Sequence, residues 1–465
     1  VPDRLSPLDA SFLFAEDRTT AMHVGGVMTF APSEAGSFDV EAFVELIGSR
    51  LGLVPRYRQK VRDVPGHLGL PVWVDDPDFE LDYHVRRAAL PGPCSDEQLR
   101  ALVGRLLGRR LDRSRPLWEL YLVEGLSDGR FAVITKTHHA MVDGLGSMDV
   151  GAMLLDTTPV PRETAPDEWD PAPEPSAMEL AIDAVLEAMR RPQTVLDVAA
   201  RAGADAREVL ANAERAVATL VSATGGRPVH PLNAVIGEQR RFGTARAALT
   251  DHQAVRAVQG GTVNDVVLAV VAGGLRQWMK TRGEPLRRAT TVRALVPVSV
   301  RSRRNGSGER AAAGNNISAY FVELPVGEPD PLCRLARVSA AMAAHKAGGQ
   351  AVGAATLIRL AGFAPPTLHS LGVRLASQFS SQVYNVLVSN VPGPPRPLYA
   401  MGARMLDMYP VVPLAGGQAV AVGITSYDGV MHYGLNADRD AMPDVDVLAA
   451  AMTDALAELV NAAAT

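Results

Sequence analysis

Residues 131–146 read FAVITKTHHAMVDGLG, and this stretch limits the possible folds more than any other in the chain. Phe131, Val133 and Thr135 alternate with Ala132, Ile134 and Lys136. A period of two with β-branched residues predicts a strand. The strand runs into two adjacent histidines, His138 and His139, then three small or apolar residues, then Asp143 and Gly144. Neighbouring strand residues point to opposite faces, so the two imidazoles are expected to have different tasks. One faces a cleft as a general base with a pKa near neutrality. The other points back into the fold and orients it. Asp143 either shares that orienting task or holds the loop by pairing with a distant arginine, and Gly144 permits a tight turn. A zinc site is a weaker alternative. Adjacent histidines lack the i, i+4 helical spacing of a zinc motif, and neither cysteine sits near a second ligand.

At 465 residues the chain exceeds one ordinary core, so two domains are expected. A net charge of −5 gives no electrostatic case for nucleic acid. Cys94 and Cys333 are far apart and form no disulfide framework, which fits a reducing cytosol. The opening VPDRLSPLD lacks a basic segment followed by an apolar one, so no secretory signal is expected. No run of about 18 apolar residues predicts a membrane-spanning helix.

Ser6-Pro7 and Asp9 predict a turn into a short helix, and His23 to Phe30 a strand. Helices are expected over Phe38 to Leu51 and, capped by Ser95, through Leu107. Trp118, Leu120 and Leu122 share a parity on a strand that pairs with Phe131 to Thr137 through the turn Ser127-Asp128-Gly129. Trp118 reads as a core aromatic that shapes the site without reacting. From Asp156 to Pro175 six prolines are interleaved with acids, which predicts a mobile linker. A long helical region follows from about Met178 to Val221. Residues 1–159 therefore form a first half, 160–232 a Pro-rich and helical crossover, and 233–465 a second half.

In the second half, Thr262 or Asn264 caps an apolar helix. The Asn264-Asp265 pair at its mouth either caps the helix or lines a reaction channel. Thr290 to Val300 is a strand containing Ser299, and it ends at Arg301. Arg303 and Arg304 lie in the Gly/Ser-rich loop beyond, which reads either as solvated surface or as a seat for the phosphates of a ligand. Asn315-Asn316 leads another strand. Leu357 to Phe379 predicts two core helices broken at Pro365-Pro366, with a lipid channel or membrane-surface patch as the alternative. Ser389-Asn390-Val391-Pro392 follows a strand VYNVLV, and two further strands and an amphipathic helix close the chain.

HH-x-x-x-DG is the signature of a superfamily of CoA- and carrier-dependent acyltransferases that includes chloramphenicol acetyltransferase and the condensation domains of peptide synthetases. Further pieces narrow the match: PLDASF at 7–12, RPLWE at 115–119, TVNDVVLA at 262–269, LVPVSVRSR at 295–303, GNNIS at 314–318 and SNVPGP at 389–394. Together they resemble the bacterial wax ester synthase/acyl-CoA:diacylglycerol acyltransferases, over nearly the whole chain.

The resemblance implies an α/β fold of two chloramphenicol acetyltransferase-like halves, with mixed sheets flanked by helices. It implies His139 as general base, with His138 and Asp143 completing the catalytic set. Gly144, Arg301, Asn264, Asp265 and Trp118 would be structural or orienting. Ser299, Arg303, Arg304, Asn315, Asn316, Ser389, Asn390 and Pro392 would bind substrate. Acyl-CoA would be a co-substrate, with no resident cofactor and no metal. The acceptor would be diacylglycerol or a fatty alcohol, and the protein would sit in the cytoplasm, peripheral to the membrane or to lipid droplets. The alternatives are an acyltransferase for a polyketide or glycolipid hydroxyl, and a lipid-binding or droplet protein without turnover.

By analogy with condensation domains, Asp143 and Arg301 are expected to form a salt bridge. Asp143→Ala and Arg301→Ala should then be non-additive, the double variant losing about as much activity and stability as the worse single one. Full additivity in a double-mutant cycle would exclude the pair.

Overall fold

The computed structural model describes residues 2–32, 39–142, 151, 153–165, 167–190, 231–299, 317–348, 352–353 and 383–465. The first half runs β1 (Asp3–Arg4), α1 (Pro7–Ala15), β2 (His23–Phe30), α2 (Val40–Arg50), β3 (Gln59–Arg62), β4 (Val72–Asp75), α3 (Leu81–His84), β5 (Val85–Ala89), α4 (Asp96–Leu107), β6 (Trp118–Glu124) and β7 (Phe131–His138). Helix α5 (Ala177–Arg190) follows. The second half runs β8 (Arg240–Ala248), α6 (Leu249–Gln259), α7 (Val263–Thr281), β9 (Val292–Ser299), β10 (Ile317–Leu324), α8 (Pro331–Gly348), β11 (Val352–Gly353), β12 (Val386–Pro392), β13 (Tyr399–Ala400), β14 (Ala403–Val411), β15 (Val420–Tyr427), β16 (Val430–Asp438) and α9 (Val445–Ala464).

Local chemistry accounts for most helix starts. Ser6 caps α1 through the Asp9 amide, Ser95 and Gln98 form a capping box on α4, and Thr262 and Asp265 form one on α7. Two large mixed sheets carry the fold. The first has strand order β13-β14-β2-β7-β6-β5 and the second β11-β10-β9-β12-β15-β16-β8. Parallel pairing is confined to β5/β6 in the first and to β9/β12/β15 in the second. A small sheet β1-β4-β3 lies apart.

Strand β7 obeys the alternation read from its sequence. Phe131 and Val133 enter one apolar cluster with Phe43 and Ile47 of α2, while Ala132 and Ile134 enter another with Val103 and Leu107 of α4. In the second half the core is helix on sheet: α7 is buried along most of its length and packs against α8 and α9. Among the described residues α9 alone is long and apolar enough by itself to cross a membrane, and its Leu448, Met452, Leu456 and Leu459 are buried in this core.

The two halves are interlocked. Strands β13 and β14 belong to the second half in sequence, yet β14 pairs antiparallel with β2 in the first sheet. Asp407 of β14 stitches the two sheets together. It accepts a hydrogen bond from Thr29 of β2 at 2.7 Å, lies 3.2 Å from Arg246 of β8, and lies 3.4 Å from His432 of β16. Burial would raise its carboxyl, but the His432 and Thr29 contacts outweigh it and hold it at about 2. Near the end of the first half, the fully buried Arg50 grips Asp156 through two contacts of 2.8 and 2.9 Å, and Asp156 bridges in turn to Tyr399.

The Pro-rich run, read as a mobile linker, makes ion pairs and a ring contact with the first half. Asp167 pairs with Arg58, and Trp169 lies under the Arg58 guanidinium at 4.7 Å. Glu174 pairs with Lys60 at 3.3 Å and with Arg62 at 2.6 Å. The run is strapped to the small sheet, and Leu180 and Ala184 of α5 then pack on Val64, Val72 and Val74. The acids interleaved with the prolines are what hold it. Ser389 to Pro392 are also reassigned: they lie within β12, not after it. Residues 191–221 of the expected long helix, and the stretch Leu357 to Phe379, lie outside the described residues.

Gly423 and Gly434 face each other across β15 and β16, and Pro410 of β14 lies against both. A methyl group on Gly434 would overlap the Pro410 carbonyl oxygen, which cannot move without shifting β14. Gly434→Ala is expected to cost about 1–3 kcal/mol, lowering the thermal midpoint by several degrees in a calorimetric comparison with wild type.

Candidate active site

Strand β7 is buried at all eight positions and reaches the site hydrogen-bonded on both sides. His138 is in register with His23 of β2, and Thr137 with Trp118 of β6. The His138 amide donates to the Leu117 carbonyl at 2.9 Å, and the His139 amide to the Met22 carbonyl at 2.8 Å. The backbone is therefore clamped where the strand stops.

The two histidines have different surroundings, and strand alternation is not the cause. The strand ends at His138, and His139 opens a 3-10 turn over His139–Met141. His138 is 1% exposed, whereas His139 is partly exposed. His138 Nδ1 accepts a hydrogen bond from the Ala140 amide at 3.0 Å. An acceptor at Nδ1 puts the proton of the neutral ring on Nε2. That Nε2 lies 3.9 Å from Glu16 Oε1.

Glu16 was not picked out from the sequence. It is the residue at which α1 ends, and nothing in FLFAED distinguishes it from a solvated acid. Its position is set by tertiary structure. Arg113 donates to Glu16 Oε2 from Nη2 at 2.7 Å and from Nε at 3.1 Å. Oε1 lies 3.5 Å from His23 Nε2, which accepts from the Leu111 amide at 3.3 Å. Burial raises the Glu16 carboxyl, but His23, His138 and Arg113 overcome it and hold it at about 2. Glu16 is thus an anion inside the protein. Burial drives His138 down to about 3 against the pull of that anion.

The His139 ring stacks on Phe12 with centroids 3.8 Å apart and planes 20° from parallel. Phe12 is the last residue of PLDASF, so two sequence motifs meet here. Nδ1 of His139 is buried without a hydrogen-bond partner among the described residues. Burial drives this imidazole down to about 4, against a weaker upward pull from its own main-chain carbonyl. A lowered value favours the unprotonated ring at neutral pH.

Trp118 is the core aromatic expected. Its indole N–H donates to the Tyr57 carbonyl at 2.8 Å, and its ring stacks on His84 at 4.6 Å. Thr262 is the cap of α7, accepting from the Asp265 amide, and Asp265 Oδ2 accepts in return from the Thr262 amide at 2.8 Å. Asp265 is therefore a capping residue. Asn264 does something else: its Oδ1 accepts from Asn390 Nδ2 at 3.0 Å, which joins TVNDVVLA to SNVPGP across 126 residues. Among the described residues no hydrogen bond links this pair to the histidines. Ser389 is partly exposed and Pro392 is exposed. Ser299 ends β9, its main chain in register with Ile317. Asp143, Gly144, Arg301, Arg303, Arg304, Asn315 and Asn316 lie outside the described residues. Among the described residues no group of three or more His, Cys, Asp or Glu is arranged to hold a metal ion.

The fold is that of the condensation domains. The first condensation domain of the calcium-dependent antibiotic synthetase superposes with a TM-score of 0.55 at 15% identity, covering 100% of this chain and 96% of that one. Sequence narrows the class. Residues 5–267 match the wax ester synthase/diacylglycerol acyltransferase catalytic domain, and residues 313–460 match the WS/DGAT C-terminal domain. The chain belongs to the wax ester synthase/diacylglycerol acyltransferase family. It is 35% identical to the probable diacylglycerol O-acyltransferase tgs1 of Mycobacterium tuberculosis H37Rv, over 98% of this chain and 96% of the relative. It is 33% identical to tgs2 of the same organism, over 99% of both. The wax ester synthase/diacylglycerol acyltransferase of Marinobacter aquaeolei VT8 superposes with a TM-score of 0.72 at 28% identity, covering 100% of both chains.

The depressed histidines make stability depend on pH. His84 and His139 at about 4 and His138 at about 3 all lie below the ordinary 6.5, so the unfolded chain binds more protons between those limits. Their contribution is complete above about pH 6.5 and is lost as pH falls towards 4. The urea midpoint is expected to be lower at about pH 5 than at about pH 7.5. His139→Phe, which removes one of these groups, should flatten that slope.

Proposed function

We propose that the protein is an acyl-CoA-dependent O-acyltransferase that moves a long-chain acyl group to the hydroxyl of diacylglycerol, and also to fatty alcohols. The observation that carries this reading is the placement of His139, set on a clamped turn with Nδ1 sealed inside and the residue still partly exposed. Its Nε2 takes the proton of the acceptor hydroxyl as the oxygen attacks the thioester carbonyl. The tetrahedral intermediate collapses, the carbon–sulfur bond breaks, and CoA leaves as the thiol, taking the proton back from the imidazolium. The products are the ester and CoA, with no acyl-enzyme. A general base of this kind contributes about 10²–10⁴ in rate, and holding both substrates in place contributes further. His138 and Asp143 keep the site in shape, and acyl-CoA is a substrate, not a resident cofactor.

The names of the family and of the two mycobacterial relatives support diacylglycerol as acceptor, and the Marinobacter enzyme supports wax esters as a second product. Lipid acceptors place the protein at a membrane or lipid-droplet surface on the cytoplasmic side. The exposed stripe Met178, Ile182, Val185 and Leu186, at helical spacing on α5, supports such contact.

Purified protein offered palmitoyl-CoA with diacylglycerol or hexadecanol should release thiol only when an acceptor is present. His139→Ala is expected to lower that rate by about 10²–10⁴. Equal release by the two proteins would remove His139 from this role, and the better acceptor identifies the lipid class.

A further inference from the structure

The Glu16 cluster does more than fill space. An ionised carboxylate buried behind a reactive histidine costs free energy to desolvate, and it persists only where it is paired. Arg113 takes one oxygen with two N–H groups, which also links the α1 terminus to the segment leading into β6. The other oxygen, Oε1, is buried without a hydrogen-bond partner of its own, between His23 Nε2 at 3.5 Å and His138 Nε2 at 3.9 Å. His23 Nε2 already accepts the Leu111 amide, so its lone pair is directed there. The proton best placed to meet Oε1 is therefore on His138 Nε2. That tautomer is also the one the turn requires. If His138 carried its proton on Nδ1, it would face the Ala140 amide donor to donor across 3.0 Å, and the His139–Met141 turn would have to open.

We infer that Glu16, clamped by Arg113, is a positioning residue that fixes His138 in its Nε2–H tautomer, and that His138 thereby sets the turn presenting His139. The inference rests on the acyltransferase reading for its kinetic consequence, though not for its structural one. Arg86, Arg109, Arg110 and Asp112 line the same cavity as Glu16, and Lys136 on β7 and Glu119 on β6 pair with each other at 3.4 Å. Arg113 is the cation that pairs with Glu16.

The test uses the full chain with palmitoyl-CoA and the better acceptor. Glu16→Gln keeps the shape and removes the charge. It should lower kcat by roughly 10–100-fold, as loss of an orienting partner does at other histidine sites, with KM for palmitoyl-CoA within about twofold of wild type and the thermal midpoint little changed. Glu16→Asp should recover part of kcat. Wild-type kcat in Glu16→Gln would overturn the inference, as would a parallel fall of kcat, affinity and thermal midpoint. If that variant does not fold, nitrogen-15 NMR of the wild-type imidazoles still decides. A His138 resonance pattern of Nε2–H supports the inference, and Nδ1–H overturns it. The same spectrum separates this failure from failure of the proposed function. His139→Ala with undiminished turnover would remove the base and leave the His138 tautomer standing.

Discussion

The rest of the molecule depends on burying β7 on both faces and both edges. A strand so enclosed must satisfy every polar group along it, and β7 contains Thr135, Lys136, Thr137 and His138. Three of these four side chains meet a named polar group. Thr135 accepts the Gly26 amide at 2.9 Å, Lys136 meets Glu119, and His138 meets the Ala140 amide and Glu16. Once those partners are in place the strand cannot slip, because a shift of one residue would exchange the two apolar clusters and bury unpaired charge. The turn that carries His139 is thus presented by an element whose register is over-determined. That is the condition for holding a reacting group to within a fraction of an ångström.

The interlocking of the halves follows the same logic. A two-half chain could have folded as two separable units, but β14 leaves the second half to complete the first sheet, and Asp407 then draws on groups from both. Pro410 crosses the second sheet where Gly423 and Gly434 leave room. The first sheet is incomplete without the second half, because β14 supplies the strand next to β2.

Much of this was legible in residues 131–146 and in the caps, because those features are local. Alternation predicts β7, Ser95 and Thr262 announce their helices, and Trp118 reads as core from its parity. What escaped was set by distance in sequence. Strand β14 is interrupted by a bulge between Met405 and Asp407 and contains Pro410, so its period is broken where it would have been read. The Pro-rich run looks like a linker until Arg58, Lys60 and Arg62 are found opposite its acids. Asn264 and Asn390 form a pair across 126 residues, which no local rule anticipates. Glu16 is the clearest case. Only the register of His23 with His138 brings it beneath the motif, and a single acid after a helix carries no sign of that.

The lowered imidazole of His139 bears directly on the proposed chemistry. An imidazole near 4 is a weak base beside free histidine, and on basicity alone it would be a poor choice for removing a hydroxyl proton. The resting value, however, measures the cost of a lone imidazolium in a desolvated site. In the proposed reaction the imidazolium does not form alone. As the proton arrives on Nε2, negative charge develops on the tetrahedral oxygen close by. In a medium that screens weakly, the attraction between them returns much of what desolvation took. The same burial that weakens the free base therefore strengthens it selectively along the reaction path, and it keeps the ring in its accepting form at any physiological pH. In that proposal the second histidine has a task. A base whose strength depends on a charge forming at one place must be held at a fixed distance from that place, and the bond from the Ala140 amide to His138 is the contact that would hold it.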